Sequence, residues 1–335
     1  MTGATGFVGA SLARVLLNQG LRVRALVRPT SPTANLSGLD LETVTGDLND
    51  PAGYAGAIQG ARYVFHAAAD YRLWAPDAGP MYRTNVEGTR VVLEAAAKAG
   101  VERIVYTSSV AALKAVPGRL ADETDFYASE EGIIGHYKRS KYQAELQALE
   151  LARRGFPVVI VNPAAPIGPR DIKPTPTGRI ITDFLNGKLP AYIDTGLNAV
   201  HVDDVAYGHW LAAAKGRAGE RYILSQENLT FKQILDLLSE ETGLPSPAIR
   251  LPYYVALAAA AVDSTVSYIA GRVPRAPWSA VRMSKVKMFF SNAKARSELG
   301  FAPRPVREAF RDAVDWFVEK GYAPAPPKRR EVVRA

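Results

Sequence analysis

A tyrosine and a lysine four residues apart are the first residues in this sequence whose types and spacing could transfer a proton. Tyr137 and Lys141 begin and end the run Tyr-Lys-Arg-Ser-Lys. Positions i and i+4 share one face of a helix, so both side chains can point into one cleft. A nearby ammonium stabilises a phenolate, and we expect the pKa of Tyr137 to fall towards neutrality. By itself such a pair is common on helix surfaces, so other residues must support it.

The supporting residues are two serines that lie about thirty positions earlier in the chain. Thr107, Ser108 and Ser109 end a predicted strand, and ligands bind at the carboxyl edge of a parallel sheet. A serine hydroxyl at that edge can orient a substrate oxygen while the tyrosine gives or takes a proton. We expect Ser109 rather than Ser108 to do so. Ser109, Tyr137 and Lys141 are therefore the predicted catalytic set, suited to interconverting an alcohol and a ketone.

A glycine-rich run opens the chain and predicts a binding site for a dinucleotide. Gly3, Gly6 and Gly9 form a G-x-x-G-x-x-G pattern at the start of a predicted helix. Glycines let backbone N–H groups approach a pyrophosphate, and the N-terminus of a helix favours negative charge. The predicted cofactor contacts are Gly3, Thr5, Gly6, Phe7, Val8, Arg28, Asp47, Leu48, Ala67, Ala68, Ala69, Asn85, Thr107, Ser108, Tyr137, Lys141, Asn162 and Pro163.

Three of these contacts have reasons of their own. Asp47 follows a predicted strand, where its carboxylate could accept a hydrogen bond from an adenine amine. The alanines at 67–69 are small enough for a cofactor to lie close, whereas the preceding His66 is as readily a buried histidine with satisfied hydrogen bonds. An acid about 20 residues past the loop would hold the ribose 2′-hydroxyl of NAD, but Arg28 stands there. A guanidinium would pair with a 2′-phosphate, so we favour NADP over NAD. The alternative is that Arg28 is a surface cation.

Short β-branched segments alternate with helical patterns through the first half, which is typical of a parallel sheet with helices on both faces. The predicted strands are 21–28, 41–45, 61–67, 103–107 and 157–162, and the predicted helices are 9–19, 51–58, 85–99, 136–153, 231–242, 254–271 and 307–320. We therefore predict an α/β fold with a Rossmann-type doubly wound parallel sheet at 1–165. A smaller C-terminal substrate-binding lobe is expected at 166–322, with some segments returning to the sheet, followed by a basic tail at 323–335.

One strand is missing from this pattern. The glycine run begins at Thr2 and Gly3, although a strand normally precedes such a loop, and in this kind of sheet that strand is central. Losing it would leave two rows of backbone groups without partners, which is costly in a buried sheet. We expect several apolar residues to precede Met1 in the native protein.

Composition excludes several classes of protein. The chain has no cysteine and only four histidines, which rules out disulfides and thiolate metal sites, and we expect no metal. The net charge of +8 is spread along the chain except at 326–330, so we expect no nucleic-acid partner. No secretory signal opens the sequence, and we expect a cytoplasmic protein.

The apolar segment 253–271 is followed by five basic residues and has two interpretations. Such a helix can rest on anionic lipid, which would make the protein peripheral to the inner membrane. The alternative, which we favour, is a helix that caps the substrate cleft. The basic residues are Arg272, Arg275, Arg282, Lys285 and Lys287.

Together and in this order, these motifs resemble the extended short-chain dehydrogenases/reductases over nearly the whole chain. The motifs are the glycine loop, Gly46-Asp47-Leu48, Asn85-Val86-Glu87-Gly88-Thr89, Thr107-Ser108-Ser109 and the Tyr137/Lys141 pair. Asn162-Pro163 and the run 201–205 match later landmarks of that family. The resemblance implies that Asn85 helps to place the active-site helix, that Lys141 also holds the nicotinamide ribose, and that the protein is a homodimer.

Three further segments look like the hopanoid-associated sugar epimerases, which are related to dihydroflavonol-4-reductases. They are 69–74, 168–179 and 287–290. The resemblance implies an NAD(P)-dependent epimerase that acts on a nucleotide sugar through a transient keto intermediate. The residues expected to contact such a small-molecule substrate are Tyr71, Trp74, Arg170, Lys173 and Arg179, of which the three cations could clamp a phosphate or simply form a basic loop.

Two alternatives to the epimerase stay open. Arg28 and the kinship with flavonol reductases favour an NADPH-dependent ketone reductase, of the dihydroflavonol-4-reductase or hydroxysteroid dehydrogenase type. A non-catalytic NADP-binding sensor would usually lack Tyr137 or Lys141, and both are present. A dehydratase is excluded, because Val110, Ala111 and Ala112 follow Ser109 where proton-transferring acids would be needed.

Overall fold

The computed structural model describes residues 1–48, 50 and 53–328, and these residues form an α/β fold. The strands are β1 (Arg24–Val27), β2 (Glu42–Thr45), β3 (Tyr63–His66), β4 (Arg103–Thr107), β5 (Val158–Pro163), β6 (Ala165–Ile167), β7 (Ala191–Ile193), β8 (Gly196–His201), β9 (Arg221–Leu224), β10 (Glu227–Thr230) and β11 (Ile249–Leu251). The helices are α1 (Phe7–Asn18), α2 (Ala55–Ile58), α3 (Gly79–Tyr82), α4 (Gly88–Lys98), α5 (His136–Arg153), α6 (Pro176–Leu185), α7 (Val202–Lys215), α8 (Phe231–Thr242), α9 (Tyr253–Ile269), α10 (Trp278–Met283) and α11 (Val306–Glu319).

The main sheet is parallel and is covered by helices on both faces. Strand β1 pairs with β2, and a second group of strands runs in the order β3-β4-β5-β9. Helix α1 packs against α7 on one face, and α4 packs against α5 on the other. Every residue of β5 is buried, as expected for a strand covered on both sides. The predicted doubly wound fold is confirmed.

Thr2 joins the two groups of strands. It forms parallel bridges to Leu26 of β1 and to His66 of β3, and its N–H donates to the carbonyl of Phe65 at 2.9 Å. The carbonyl of Met1 accepts from the N–H of Leu26 at the same distance. Met1 and Thr2 therefore lie in the central position where the sequence lacked a strand.

The second half of the chain builds a smaller lobe around its own core. Strand β8 lies between β10 and β6, and β11 pairs with β7. Helices α6, α8 and α11 pack together over this lobe. Strand β9 returns to the main sheet beside β5. The predicted boundary at residue 165 stays a prediction.

Strands β6 to β11 and helices α3, α6, α7 and α10 were not predicted, whereas the elements that were predicted differ mainly at their ends. Helix α4 begins at Gly88 rather than at Asn85, because residues 83–87 form a wider π-helical turn. Of the helix predicted at 51–58, residues 51 and 52 lie outside the described part, and α2 begins at Ala55. Residues 329–335 of the predicted basic tail also lie outside the described part.

Candidate active site

Helix α5 carries the candidate catalytic residues on one face. It begins immediately after Gly135, whose φ of 87° places it in the left-handed region that favours glycine. Tyr137 lies in the first turn, and Lys141 follows one turn later, buried below it. The face continues with Glu145, which is fully buried. The i, i+4, i+8 spacing therefore brings three titratable side chains into line below the carboxyl edge of β4.

Tyr137 is half-buried and contacts the serine that the sequence favoured. Burial raises its pKa, and a hydrogen bond with the Ser109 side chain opposes that shift. The expectation that the pKa of Tyr137 falls towards neutrality is wrong for this structure, because burial has the largest effect and raises it. A neutral phenol is a hydrogen-bond donor, so Tyr137 in this state is suited to giving a proton to a carbonyl oxygen.

Lys141 is directed towards the end of β4. Its Nζ donates to the carbonyl oxygen of Thr107 at 2.8 Å and lies 4.9 Å from the centre of the Tyr106 ring. Burial lowers the pKa of Lys141 to about 8, and the charge of Glu145 acts in the opposite direction. Glu145 therefore helps to keep a buried ammonium protonated near neutral pH.

The two serines after β4 have different partners. Ser108 is buried and donates to the carboxylate of Glu145. Ser109 is less buried, and its Oγ accepts from the N–H of Ala111 at 3.1 Å while the side chain also contacts Tyr137. The contact with Tyr137 supports the choice of Ser109 over Ser108 as the substrate-orienting hydroxyl.

Glu145 is the functional residue that sequence reasoning missed. Its carboxylate accepts from Ser108, from the Nδ2 of Asn162 at 2.8 Å and from the guanidinium of Arg221, which begins β9. Asn162 also donates to the carbonyl of Ser109 at 3.1 Å. The carboxylate thus ties α5 to the ends of β4 and β5. The available signal was its spacing, four residues after Lys141.

The geometry of the glycine loop suits the binding of a dinucleotide. A Cβ at Gly9 would lie 2.0 Å from the carbonyl oxygen of Gly3, and a Cβ at Gly3 would lie 2.6 Å from the backbone N of Ala68. The loop therefore needs glycine in order to pack against α1 and the end of β3. Gly6 caps α1 without a side-chain hydrogen bond, and the first turn of α1 contains no acid. An uncapped helix N-terminus of this kind suits a pyrophosphate.

The predicted contacts around this loop lie along one edge of the sheet. The carbonyl of Thr5 accepts from Asn35, and Phe7 and Val8 are half-buried. Ala67, Ala68 and Ala69 are half-buried, and Asp47 and Leu48 follow β2. Thr107 ends β4 and Ser108 follows it, and Asn162 and Pro163 end β5. Arg28 is exposed at the end of β1.

Asn85 connects the loop after β3 with the catalytic helix. Its Oδ1 accepts from the N–H of Asp70 at 2.7 Å, and its Nδ2 donates to the carbonyl of Asp70 and to the Oγ of Ser140. Ser140 lies between Tyr137 and Lys141, so Asn85 acts on the position of both. We infer a positioning role for Asn85.

His66 is a satisfied structural residue. Its ring nitrogens hydrogen-bond the hydroxyls of Thr2 at 2.7 Å and Thr89 at 3.0 Å. Burial and the charge of Lys141 lower its pKa to about 3, so the ring is neutral at physiological pH. The alternative functional role left open by the sequence has no support in this geometry.

The five predicted substrate residues do not form one group. The hydroxyl of Tyr71 donates to the carbonyl of Lys173 at 3.2 Å, and the charge of Arg179 acts on the pKa of Tyr71. Trp74 is half-buried. Arg170 is different: its guanidinium pairs with Asp203 and donates to Ser11 of α1. The phosphate-binding role of Arg170 stays a prediction, and its charge is paired with Asp203 beside the glycine loop.

Comparison with known proteins places these residues in context. Residues 1–225 match the family model of the NAD dependent epimerase/dehydratase family. The chain is 49% identical over 327 residues to a putative dihydroflavonol 4-reductase of Synechocystis sp., covering 96% of this chain and 95% of that protein. It is 37% identical over 324 residues to sterol demethylase protein B of Methylococcus capsulatus, covering 96% and 98% of the two chains.

Two solved structures have the same architecture. The crystal structure of gox2253 matches with a TM-score of 0.86 and 50% identity, covering 96% of this chain and 98% of that one. The structure of PA4631, a nucleoside-diphosphate-sugar epimerase from Pseudomonas aeruginosa, matches with a TM-score of 0.81 and 29% identity, covering 96% and 97%. Reductases and epimerases are thus both among the similar proteins.

Proposed function

The chain belongs to the NAD dependent epimerase/dehydratase family, and from that premise we propose that it is an NADPH-linked reductase that interconverts a ketone and a secondary alcohol. The observation that carries the choice is Arg28, an exposed guanidinium at the carboxyl end of β1. In this kind of sheet an acid at that position would hold the 2′-hydroxyl of NAD, whereas an arginine accommodates a 2′-phosphate. The similarity to a putative dihydroflavonol 4-reductase supports the same choice.

The side chains of this site suit a ketone reduction. The bound cofactor supplies the hydride. Tyr137 donates its phenolic proton to the carbonyl oxygen, which Ser109 orients through a hydrogen bond. Lys141 provides a buried positive charge beside them and would hold the nicotinamide ribose. Val110, Ala111 and Ala112 are buried beyond Ser109 and carry no group that could move a second proton.

A (nucleotide-)sugar epimerase, including the hopanoid-associated kind, is the second candidate. Lys173 and Arg179 are exposed close to Tyr71 and could bind a substrate phosphate. The similarity to a nucleoside-diphosphate-sugar epimerase favours this candidate too. The pairing of Arg170 with Asp203 weakens this candidate, since one of the three expected phosphate-binding cations already has an acidic partner.

The state of the cofactor separates the two candidates. We expect freshly purified protein to bind NADPH reversibly and to oxidise it when a ketone is added, as followed by the loss of NADPH absorbance. Mass spectrometry after denaturation identifies any dinucleotide that co-purifies. A stoichiometric NAD that does not exchange, with no net oxidation of NADPH on any ketone of a broad panel, would contradict the reductase and support the epimerase.

Replacing Arg28 with alanine tests the cofactor preference directly. A hydrogen bond to a charged group contributes about 1.5–3 kcal/mol, so we expect the ratio of NADPH to NADH affinity to fall roughly tenfold to a hundredfold. Arg22→Ala is the matched control, since Arg22 is also exposed but precedes β1. Titration of both cofactors by fluorescence gives the ratio. An unchanged ratio in Arg28→Ala would assign the residue to the general surface.

A further inference from the structure

Helix α9 presents its apolar face to solvent. Tyr254, Val262 and Ile269 are 75%, 65% and 80% exposed, and Val255 and Val266 lie on the same side. Of the 17 residues of this helix, only Ala260 and Ser267 are buried. The helix packs against α10, which is linked to the main body through a hydrogen bond from Ser279 to the carbonyl of Leu73. Exposed apolar surface of this extent marks an interaction site.

The polar side of α9 is the one that faces the protein. Asp263 accepts hydrogen bonds from the N–H of Arg275 at 2.7 Å and from the guanidinium of Arg272 at 3.0 Å. Ser264 accepts from the N–H of Trp278 at 2.9 Å. These contacts fix the turn between α9 and α10. Asp263 and Ser264 therefore lie on the side of α9 that faces this turn, away from the exposed apolar residues.

The charges around the apolar face have one sign. Between residues 253 and 287 the basic residues are Arg272, Arg275, Arg282, Lys285 and Lys287, and the sole acid is Asp263. Asp263 is engaged in the turn, and Lys287 pairs with Asp194. Arg275 and Lys285 are exposed, and Arg282 lies over the exposed ring of Trp278 at 4.6 Å. Tyrosine and tryptophan beside an apolar face are the side chains preferred at a membrane–water interface.

We propose that α9 docks this protein on a lipid bilayer that contains anionic lipids. At 1.5 Å per residue a helix of 17 residues is about 25 Å long, and its polar contacts with the following turn hold it against α10. Within the described residues, no helix combines the length and hydropathy needed to cross a bilayer. The apolar face enters the boundary between headgroups and acyl chains, and the cations at its C-terminal end contact headgroup phosphates.

A second copy of the chain fits this surface less well than lipid does. If the apolar faces of two copies packed together, tyrosines and valines would be buried. Each copy would also bring its exposed cations, and the same segment of the other copy would offer them no acidic partner. Like charges without compensation disfavour such a contact. An anionic surface neutralises the cations and covers the apolar face at once.

Flotation with lipid vesicles tests the proposal on the full chain. We expect the wild type to float with vesicles of phosphatidylcholine and phosphatidylglycerol, to float less with phosphatidylcholine alone, and to be released by added salt. Ile269→Glu should abolish flotation, with Leu120→Glu as the matched control, since Leu120 is an exposed leucine outside α9. Arg275→Ala should weaken partitioning about fivefold. Lys98→Ala, which removes the same charge from the end of α4, should have no effect.

Three results would overturn the proposal. The first is a wild type that floats with neither kind of vesicle. The second is an equal loss in the α9 variants and in their controls, which would assign binding to overall charge or hydropathy. The third is a dimer that forms without lipid and that becomes a monomer in the Ile269→Glu variant, as measured by size-exclusion chromatography. That result would show that the apolar face of α9 binds a second copy of the chain. Circular dichroism of each variant verifies that the exposed substitutions leave the fold intact.

Discussion

Replacing Tyr137 with phenylalanine is expected to lower kcat/KM for ketone reduction by about a hundredfold to ten-thousandfold, the range in which a positioned acid–base group contributes. The phenolic oxygen is the group that contacts Ser109, and in the proposed reaction it would donate to the substrate. The ring itself stays in place on α5, so we expect the affinity for NADPH to be nearly unchanged. Steady-state kinetics with NADPH and cofactor titration measure the two quantities separately.

Tyr127→Phe is the matched control for this substitution. Tyr127 is also half-buried, and its ring packs at a steep angle against Tyr142 at the buried side of α5. Loss of its hydroxyl should change kcat/KM by less than about twofold. If Tyr137→Phe kept more than a tenth of the wild-type activity, Tyr137 would not be the proton donor.

Replacing Glu145 with glutamine is expected to reduce the free energy of unfolding by about 3–5 kcal/mol, the usual cost of leaving one member of a buried ion pair without its partner. The carboxylate is fully buried and is the partner of Arg221, Ser108 and Asn162. A neutral amide of the same size cannot compensate the guanidinium. Urea denaturation followed by circular dichroism gives the difference.

Glu150→Gln provides the comparison on the same helix. Glu150 is exposed and pairs with Arg153 at 3.7 Å, and an exposed pair of this kind contributes at most about 1 kcal/mol. A double-mutant cycle of Glu145→Gln with Arg221→Gln should be non-additive, because the two side chains are in contact. Additive losses would show that the ion pair has no coupling energy.

The active site shows what sequence spacing can predict. The glycine loop and the Tyr137/Lys141 pair depend on separations of a few residues, which helical periodicity converts directly into a shared face. The contact between Glu145 and Arg221 joins residues 76 positions apart. No local sequence pattern contains this contact. Each of the two residues, taken alone, is typical of a charged residue on the protein surface.

The fold, like the active site, could be predicted from the sequence in part. The strands of the first half were found with errors of up to three residues at their ends, whereas the return of β9 to the sheet depends on tertiary pairing that composition does not encode. Helix α9 was also located correctly, to within two residues at its ends. Periodicity did not show which of its sides faces solvent, since this depends on its contacts with the turn that follows it.

The pKa expectation failed for a related reason. Spacing places an ammonium near a phenol, but it does not show how deeply either group is buried. Burial raises the pKa of Tyr137 and lowers that of Lys141, so in this structure desolvation has the largest effect on both groups.

The return of β9 has a consequence for how such proteins diversify. Arg221 of β9 holds the carboxylate beneath the catalytic helix, and α7, also from the second half, covers the main sheet opposite α5. The two halves are interleaved rather than joined end to end. Such proteins would therefore diversify by changing loops and side chains within the second lobe, since exchanging that lobe as a module would remove an edge strand and one covering layer of the main sheet.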